Sequence, residues 1–240
     1  MNPEYTYASQ QGITTLYKFR AFDPVHPEYI TNIFSRRELH FPAPSTLNDP
    51  FECRPHIYVE APTSPTALLR LRRKIRELFN RNSVPRAEGR RRSRLALAPG
   101  FMEKRAKEMM EQLSLAINEY RLCSFSTSCD SLLMWSHYTD SHKGICLEFD
   151  ARNADFGSAL KVEYSTDYPA LEFFDTDPAT SLQAMILTKS KDWDYENEYR
   201  LVTKIPPLRE QILLRNDKFT FQARHLTGVI LGCQISTSNE

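Results

Sequence analysis

Strand-like runs stand at both ends of this 240-residue chain, and helix-like runs stand between them. TTLYKFRAF (14–22) and LTGVIL (226–231) are rich in β-branched and aromatic residues, which suit half-buried strands. The segments 67–80 and 100–120 instead repeat apolar residues at the spacing of amphipathic helices. We therefore predict an α+β fold, with a mixed sheet as the core of a single domain, 1–240, and residues 62–120 as a helical insertion.

The remaining runs add further elements to this outline. Additional strands are predicted at 38–41, 121–128, 144–149, 160–164 and 198–203. Additional helices are predicted at 27–35, 132–138 and 169–189, with Asp130 or Ser131 as the cap of the second. The stretch 84–94 is basic and poorly patterned, so we predict a loop or a mobile segment there.

The run TLNDPFE (46–52) has the composition of a tight turn, because Asn and Asp precede a proline. We predict a rigid corner that docks Phe51 into the core. Glu52 follows directly and is a less favoured candidate for a functional site.

The distribution of charge is more informative than the net charge of +1. Residues 70–94 hold eleven basic and two acidic side chains, a local charge of +9. Such a segment could bind nucleic-acid phosphates, dock an acidic partner such as an antitoxin, or form a solvated helix face. The candidate nucleic-acid-binding residues are Arg70, Arg73, Arg90, Arg91 and Arg92.

The cysteine spacing and the hydropathy of the chain indicate in which cellular compartment the protein is expected. The five cysteines are widely spaced, which favours reduced thiols over disulfides. No apolar run approaches the length of a membrane span, and the N-terminus does not resemble a signal peptide. We predict a cytoplasmic protein without a membrane partner.

A pair of carboxylates stands out in YENEYR (195–200). In a strand, Glu196 and Glu198 would point the same way and repel each other, which raises at least one pKa unless a cation lies nearby. The pair could form a catalytic site. It could equally be a solvated strand edge, with Arg200 or a lysine as the counter-ion.

Two other predicted strands carry polar residues at every second position. In CSFSTS (123–128), Ser124, Ser126 and Ser128 could hydrogen-bond a buried acid or form a polar strand end. In LYKFR (16–20), Lys18 and Arg20 need an anionic partner, either a phosphate-bearing ligand or a structural carboxylate.

The block WSHYTDSHKG (135–144) concentrates aromatic and histidine side chains. A zinc site would use Cys123, Cys129, His137 and His142, but their spacing matches no common zinc pattern. We therefore predict no metal site. A Cys–His nucleophile pair is possible, but no local sequence signature supports it.

Five blocks together resemble a bacterial, phage-associated family known as domain of unknown function 2971. They are LYKFR (16–20), STLNDPFE (45–52), CSFSTS (123–128), MWSHYTDSHKGICLEFD (134–150) and KDWDYENEYRLV (191–202). The parts that begin at Trp135 and Trp193 are the most specific. The basic segment 62–100 does not resemble the family signature.

The order of these motifs is also similar to the arginine–serine–glutamate constellation of ADP-ribosyltransferases. That resemblance implies an ADP-ribosyltransferase-like sheet core, NAD as the substrate, and a toxin or phage-defence effector that modifies a nucleic acid or a protein. It implies catalytic roles for Glu198, Glu196 and Ser126. The implied cofactor-binding residues are Lys18, Arg20, Tyr17, Thr127, Ser128, Trp135, His137 and Tyr138.

Two alternatives stay open at this point. One is a non-catalytic module that binds nucleic acid through residues 70–94. The other is a metal-dependent nuclease that uses Glu52, Glu196, Glu198 and the histidines.

Overall fold

The computed structural model describes residues 6–49, 51–54, 56–60, 62–81, 85–98, 100–167, 170–173, 178–204 and 214–236. The α-helices in these parts are α1 Glu28–Ser35, α2 Pro65–Arg81, α3 Arg86–Ala96, α4 Phe101–Ile117, α5 Leu132–Tyr138, α6 Ala154–Gly157 and α7 Pro178–Leu187. The strands are β1 Thr15–Arg20, β2 Glu38–His40, β3 His56–Tyr58, β4 Tyr120–Ser126, β5 Ile145–Asp150, β6 Leu160–Lys161, β7 Glu163–Ser165, β8 Ala170–Glu172, β9 Thr188–Ser190, β10 Glu198–Lys204, β11 Lys218–Thr220 and β12 Leu226–Leu231.

Six strands form an antiparallel sheet in the order β12–β5–β1–β4–β10–β6. Strands from the two ends of the chain therefore meet in one sheet, and short parallel pairs, β3–β8 and β7–β9, lie outside it. The predicted α+β class is confirmed.

The pairing between β1 and β4 is much shorter than the ladders on either side of it, β1–β5 and β4–β10. β1 pairs with β5 along its whole length, and β4 pairs with β10 along its whole length. Between β1 and β4, Tyr17↔Ser126 is the one register pair. The sheet is thus joined at that position but open beside it, which leaves room for side chains and a cavity.

The chain divides into two compact units. The first comprises residues 1–53, 118–167 and 186–240 and contains the six-stranded sheet. Its core includes Leu16, Phe125, Phe149, Phe156 and Leu201, all nearly inaccessible to solvent. Packing of these side chains on one side of the sheet holds its central strands in place.

The second unit comprises residues 54–117 and 168–185. It contains α2, α3 and α4, whose core is built around Ile75, Ala96 and Met102. These helices lie within the predicted insertion 62–120, and the unit also takes in flanking residues. The assignment of the whole chain to one domain stays a prediction.

Residues 86–96 form a helix, so the predicted loop over 84–94 is wrong for these residues. The residues of α3 that the structure shows as partly or fully buried are Glu88, Gly89, Ser93 and Ala96, none of them a large apolar residue. Without large apolar side chains on its inner face, α3 shows little apolar periodicity in the sequence. The helix is instead supported by Glu88, which pairs with Arg91 at i,i+3 and with Arg92 at i,i+4.

Three other local predictions need correction. The run 160–164 contains two short strands rather than one, and 169–189 contains β8, α7 and β9 rather than one helix. At the corner near residue 50, Phe51 is 69% exposed and Glu52 is 7% exposed, the reverse of the expected docking. Asp49 holds this turn by accepting the Phe51 N–H at 2.8 Å.

No helix in the described parts of the chain is long and apolar enough to cross a membrane.

Candidate functional site

A buried ionic cluster lies where β10, β9 and the corner near residue 50 converge. It consists of three carboxylates and two cations, all at most 7% exposed: Glu52, Glu196, Glu198, Lys189 and Arg200. Buried charges in proteins are tolerated when they are paired and hydrogen-bonded, and each of these is.

Arg200 is the most buried member, at 1% exposure. Its guanidinium donates Nε to Glu198 Oε1 at 2.7 Å and Nη2 to Glu198 Oε2 at 2.9 Å, a bidentate pair. Nη2 also contacts Glu52, and Nη1 donates to the Ile186 carbonyl at 2.5 Å. Because every side of the guanidinium is engaged, Arg200 fixes the plane of the Glu198 carboxylate.

Lys189 contacts all three acids from the other side. Its Nζ lies 2.5 Å from Glu196 Oε2, 3.2 Å from Glu198 Oε2 and 3.8 Å from Glu52 Oε2. Burial by itself would lower the pKa of Lys189, but Glu198 and Glu196 raise it well above its usual range. Lys189 is therefore charged and holds the Glu196 and Glu198 carboxylates together.

The backbone brings Glu196 and Glu198 together by a turn rather than by strand alternation. Glu196 ends a 3₁₀ turn, Lys191–Glu196, that begins after Ser190, whose hydroxyl accepts the Asp192 N–H. Asn197 adopts the left-handed conformation (φ 44°), and Glu198 then begins β10. The predicted extended geometry over 195–200 is therefore wrong at its first half, although both carboxylates do reach the same site.

Hydroxyl groups complete the surroundings of the two acids. Tyr138 on α5 donates its OH to Glu196 Oε1 at 2.5 Å, and Ser124 on β4 hydrogen-bonds the Glu198 carboxylate. The Tyr164 oxygen accepts the backbone N–H of Glu198 at 2.8 Å. Burial and the nearby carboxylates raise the pKa of Tyr138, so it donates a proton rather than losing one.

Burial raises the pKa of Glu198 to about 7, against the opposing effect of Lys189. The cluster holds three carboxylates against two cations, so the surplus negative charge has no protein counter-ion within it. A buried carboxylate with a raised pKa and without a full set of counter-ions costs stability, and such carboxylates are typical of functional sites.

The raised pKa of Glu198 predicts a pH-dependent stability. Because the folded state binds the Glu198 proton more tightly than the unfolded state, stabilisation is complete below pH 4.5 and is lost as pH rises through about 7. We expect wild-type protein to lose up to about 3 kcal/mol over this interval relative to Glu198→Gln, at about 1.4 kcal/mol per pKa unit. Urea unfolding of both proteins at pH 5 and pH 8 measures this difference, and parallel curves would contradict it.

A cavity of about 360 Å³ opens beside the cluster, at the gap between β1 and β4. Glu52, Glu196, Glu198, Lys189 and Arg200 all line it. Its other lining residues include Lys18 and Arg20 from β1, Ser124 and Ser126 from β4, Tyr138 from α5 and Trp193 from the 3₁₀ turn. The three predicted motif strands thus contribute to one cavity.

Lys18 and Arg20 give the cavity a second, cationic region. Lys18 is 9% exposed, and its Nζ donates to the Ser124 carbonyl at 2.9 Å across the gap in the sheet. Arg20 Nε is buried and has no hydrogen-bond partner among the described residues. Burial lowers the pKa of both side chains, because neither has a carboxylate in direct contact within the described chain. This region therefore suits an anionic ligand group.

The other predicted site residues are divided between the cavity and its surroundings. Tyr17 lines the cavity, as does Ser126, which is fully buried and accepts the Ser128 N–H at 3.1 Å. Thr127 lines a second cavity of about 340 Å³, together with Tyr164 and Glu198.

Trp135 and His137 are placed differently from Tyr138, although all three lie on α5. Trp135 is 8% exposed, packs edge-on against Phe19 and donates Nε1 to the Cys129 carbonyl at 2.7 Å, so it is a core residue. His137 is exposed and lies 2.9 Å from the Tyr195 hydroxyl. Neither of the two lines the cavity of about 360 Å³.

Among the described residues, no group of histidine, cysteine or acidic side chains is arranged to hold a metal ion. The three cluster carboxylates do converge, as a nuclease would need. However, Lys189 Nζ and the Arg200 guanidinium already stand between them. Cys123, one of the four residues that a zinc site would need, packs in the hydrophobic core of the sheet.

Three residues of this site were not predicted to be central to it. Lys189 was not named as a site residue, Trp193 marked only a family block, and Glu52 was a less favoured candidate. Lys189 Nζ lies 5.0 Å from the Trp193 ring centroid, so the aromatic side chain covers the cation at the cavity. The signal that could have found Lys189 is the need of the Glu196–Glu198 pair for a counter-ion.

Residues 134–201 match the family model described as "Protein of unknown function (DUF2971)". This match confirms the predicted family resemblance over the two blocks that begin at Met134 and Lys191, and it covers most of α5 together with Lys189, Glu196, Glu198 and Arg200. The blocks 16–20, 45–52 and 123–128 lie outside the matched range. No curated protein and no solved structure matches the chain.

Proposed function

We propose that the protein is an ADP-ribosyltransferase-like enzyme that cleaves NAD and transfers ADP-ribose to a nucleic acid or protein acceptor, as a toxin or phage-defence effector would. The observation that carries the proposal is the cavity at the gap between β1 and β4. Lys18 and Arg20 from the first strand, the serines of β4 and the Glu196–Glu198 pair all line it.

The charge distribution of the cavity suits the two halves of NAD. The surplus negative charge around Glu198 suits the positively charged nicotinamide ring and the positive charge that develops on the ribose. Lys18 and Arg20 suit the diphosphate. The cavity volume of about 360 Å³ lies within the range of small-molecule sites.

In the proposed reaction, the glycosidic bond between the ribose and nicotinamide breaks, and nicotinamide leaves with the bonding electron pair as a neutral molecule. Ionised Glu198 stabilises the oxocarbenium-like ribose and hydrogen-bonds its 2′-hydroxyl, while Arg200 keeps the carboxylate oriented. The acceptor nucleophile forms the new bond to the ribose, and its proton passes to Glu196.

Tyr138 and Lys189 assist Glu196 by holding its two oxygens in place. Trp193, at the cavity wall, offers an aromatic surface for a planar ring of the substrate. Ser124 hydrogen-bonds Glu198, and it is one of the three alternate serines of 123–128 that could bond a buried acid.

The direct test is incubation of purified protein with NAD labelled in the adenylate phosphate, using RNA, DNA and protein extract as separate acceptors. We expect label on one acceptor class and release of an equal amount of nicotinamide. Reactions without an acceptor report background hydrolysis. If no label is transferred, no nicotinamide is released and NAD does not bind, the proposal is wrong and a non-catalytic nucleic-acid module becomes the better interpretation.

A further inference from the structure

We infer that the outer faces of α2 and α3 form a nucleic-acid-binding surface that contacts the phosphate backbone. The inference deepens the proposed function, because it selects nucleic acid over protein as the acceptor. The binding itself does not depend on NAD and can be tested separately.

The apolar residues of α2 leave its basic residues on the solvent side. Ile75 is 1% exposed and packs with Ala96 and Met102, and Leu71 packs against the same core. Arg70, Arg73 and Arg76 lie three residues apart on the other side and are exposed. Burial of Ile75 therefore fixes which side of α2 faces the solvent.

α3 adds a second row of exposed arginines in the same unit. Ala96 is 4% exposed and contributes to the shared core, whereas Arg90, Arg91, Arg92 and Arg94 are all exposed. Because α2 and α3 pack in one unit around this core, their arginines belong to a single structured region rather than to a loop.

The acidic residues of this region neutralise only part of its charge. Glu88 accepts Arg91 Nε at 2.9 Å and Arg92 Nε at 2.8 Å, and Glu77 lies 3.6 Å from Arg73 Nε. The segment 70–94 still has nine more basic than acidic side chains. A concentration of like charge on folded helices is destabilising by itself, and an external polyanion relieves it.

The composition favours phosphate over the carboxylates of an acidic protein. Ten of the eleven basic residues in 70–94 are arginine, whose planar guanidinium binds phosphate and carboxylate oxygens alike in a bidentate manner, so the other residues of the segment decide between them. Phe79 is the one aromatic residue of the segment, whereas protein interfaces concentrate aromatic anchors and exclude charge from their centre. Base stacking would need aromatics too, so we expect binding through the backbone without sequence preference.

The test is fluorescence anisotropy of a labelled DNA duplex and a labelled RNA hairpin, titrated with protein without NAD at several salt concentrations. Contacts to about five phosphates would give a slope of log K against log salt near −4.5. The variant Arg70→Gln/Arg73→Gln/Arg90→Gln should reduce that slope by about 2.7 and weaken binding at least about tenfold at low salt.

The matched control is Lys104→Gln/Arg105→Gln/Lys107→Gln, which removes the same charge from exposed positions on α4. We expect its affinity to stay within about twofold of wild type, because ionic strength screens charges outside the contact surface. Equal losses in both variants, absence of binding, or tighter binding of polyglutamate than of nucleic acid would each overturn the inference. A surface that binds normally while NAD is not consumed would leave the inference standing and remove the proposed function.

Discussion

Replacing Glu198 by Gln is expected to reduce the rate of nicotinamide release by a factor of roughly 10²–10³, the usual effect of removing one preorganised electrostatic group. Gln has nearly the same shape and can still accept one of the two hydrogen bonds that Arg200 donates. It cannot supply the negative charge that stabilises the oxocarbenium-like ribose. The loss should therefore appear in kcat, whereas the affinity for NAD should change little.

The matched control for this experiment is Glu163→Gln. Glu163 belongs to the neighbouring strand β7, and its side chain is 69% exposed. This change removes the same charge but leaves the buried cluster intact, so we expect nearly wild-type turnover. If the Glu198→Gln protein releases nicotinamide as fast as the wild-type protein, Glu198 is not the catalytic carboxylate.

Replacing Lys189 by Met is expected to destabilise the fold by about 3–5 kcal/mol, the cost of removing one partner from a buried ion pair. The change would leave Glu52, Glu196 and Glu198 with Arg200 as their one cluster cation. Urea unfolding at pH 8 measures the effect. Lys161→Met, at an exposed lysine 3.8 Å from Glu163, should cost less than about 1 kcal/mol.

A double variant keeps this prediction testable if Lys189→Met alone does not fold. Adding Glu196→Gln removes one of the carboxylates that Lys189 neutralised, so the double variant should recover part of the lost stability. Additive losses in the two changes would show that Lys189 and Glu196 are not energetically coupled, contrary to the 2.5 Å contact between them.

The two predictions separate catalysis from stability within one cluster. Glu198→Gln brings the cluster to two acids and two cations, so it should be tolerated by the fold while it abolishes most activity. Lys189→Met increases the charge imbalance and should affect folding first. The surplus negative charge thus predicts that Glu198→Gln loses activity but folds, whereas Lys189→Met loses stability. A purely structural ion-pair network would not give the loss of activity without a loss of stability.

Local chemistry was sufficient to predict the elements whose signal lies within a few residues. The strand Leu226–Leu231 follows from its β-branched and apolar run, and α5 begins after Ser131 because that hydroxyl accepts the Met134 N–H. The prediction failed for α3 because its described partly or fully buried residues, Glu88, Gly89, Ser93 and Ala96, carry almost no apolar signal.

The sequence by itself determined the α+β class, the family resemblance and the Glu196–Glu198 pair as a candidate site, because each of these depends on neighbouring positions. Only the tertiary structure decided which groups surround that pair. Glu52 and Arg200 are 148 positions apart, and their contact depends on how the corner near residue 50 folds against β10. Burial, which raises the pKa of Glu198 and turns a possible solvated edge into a charged cavity wall, is a property of packing that no local pattern contains.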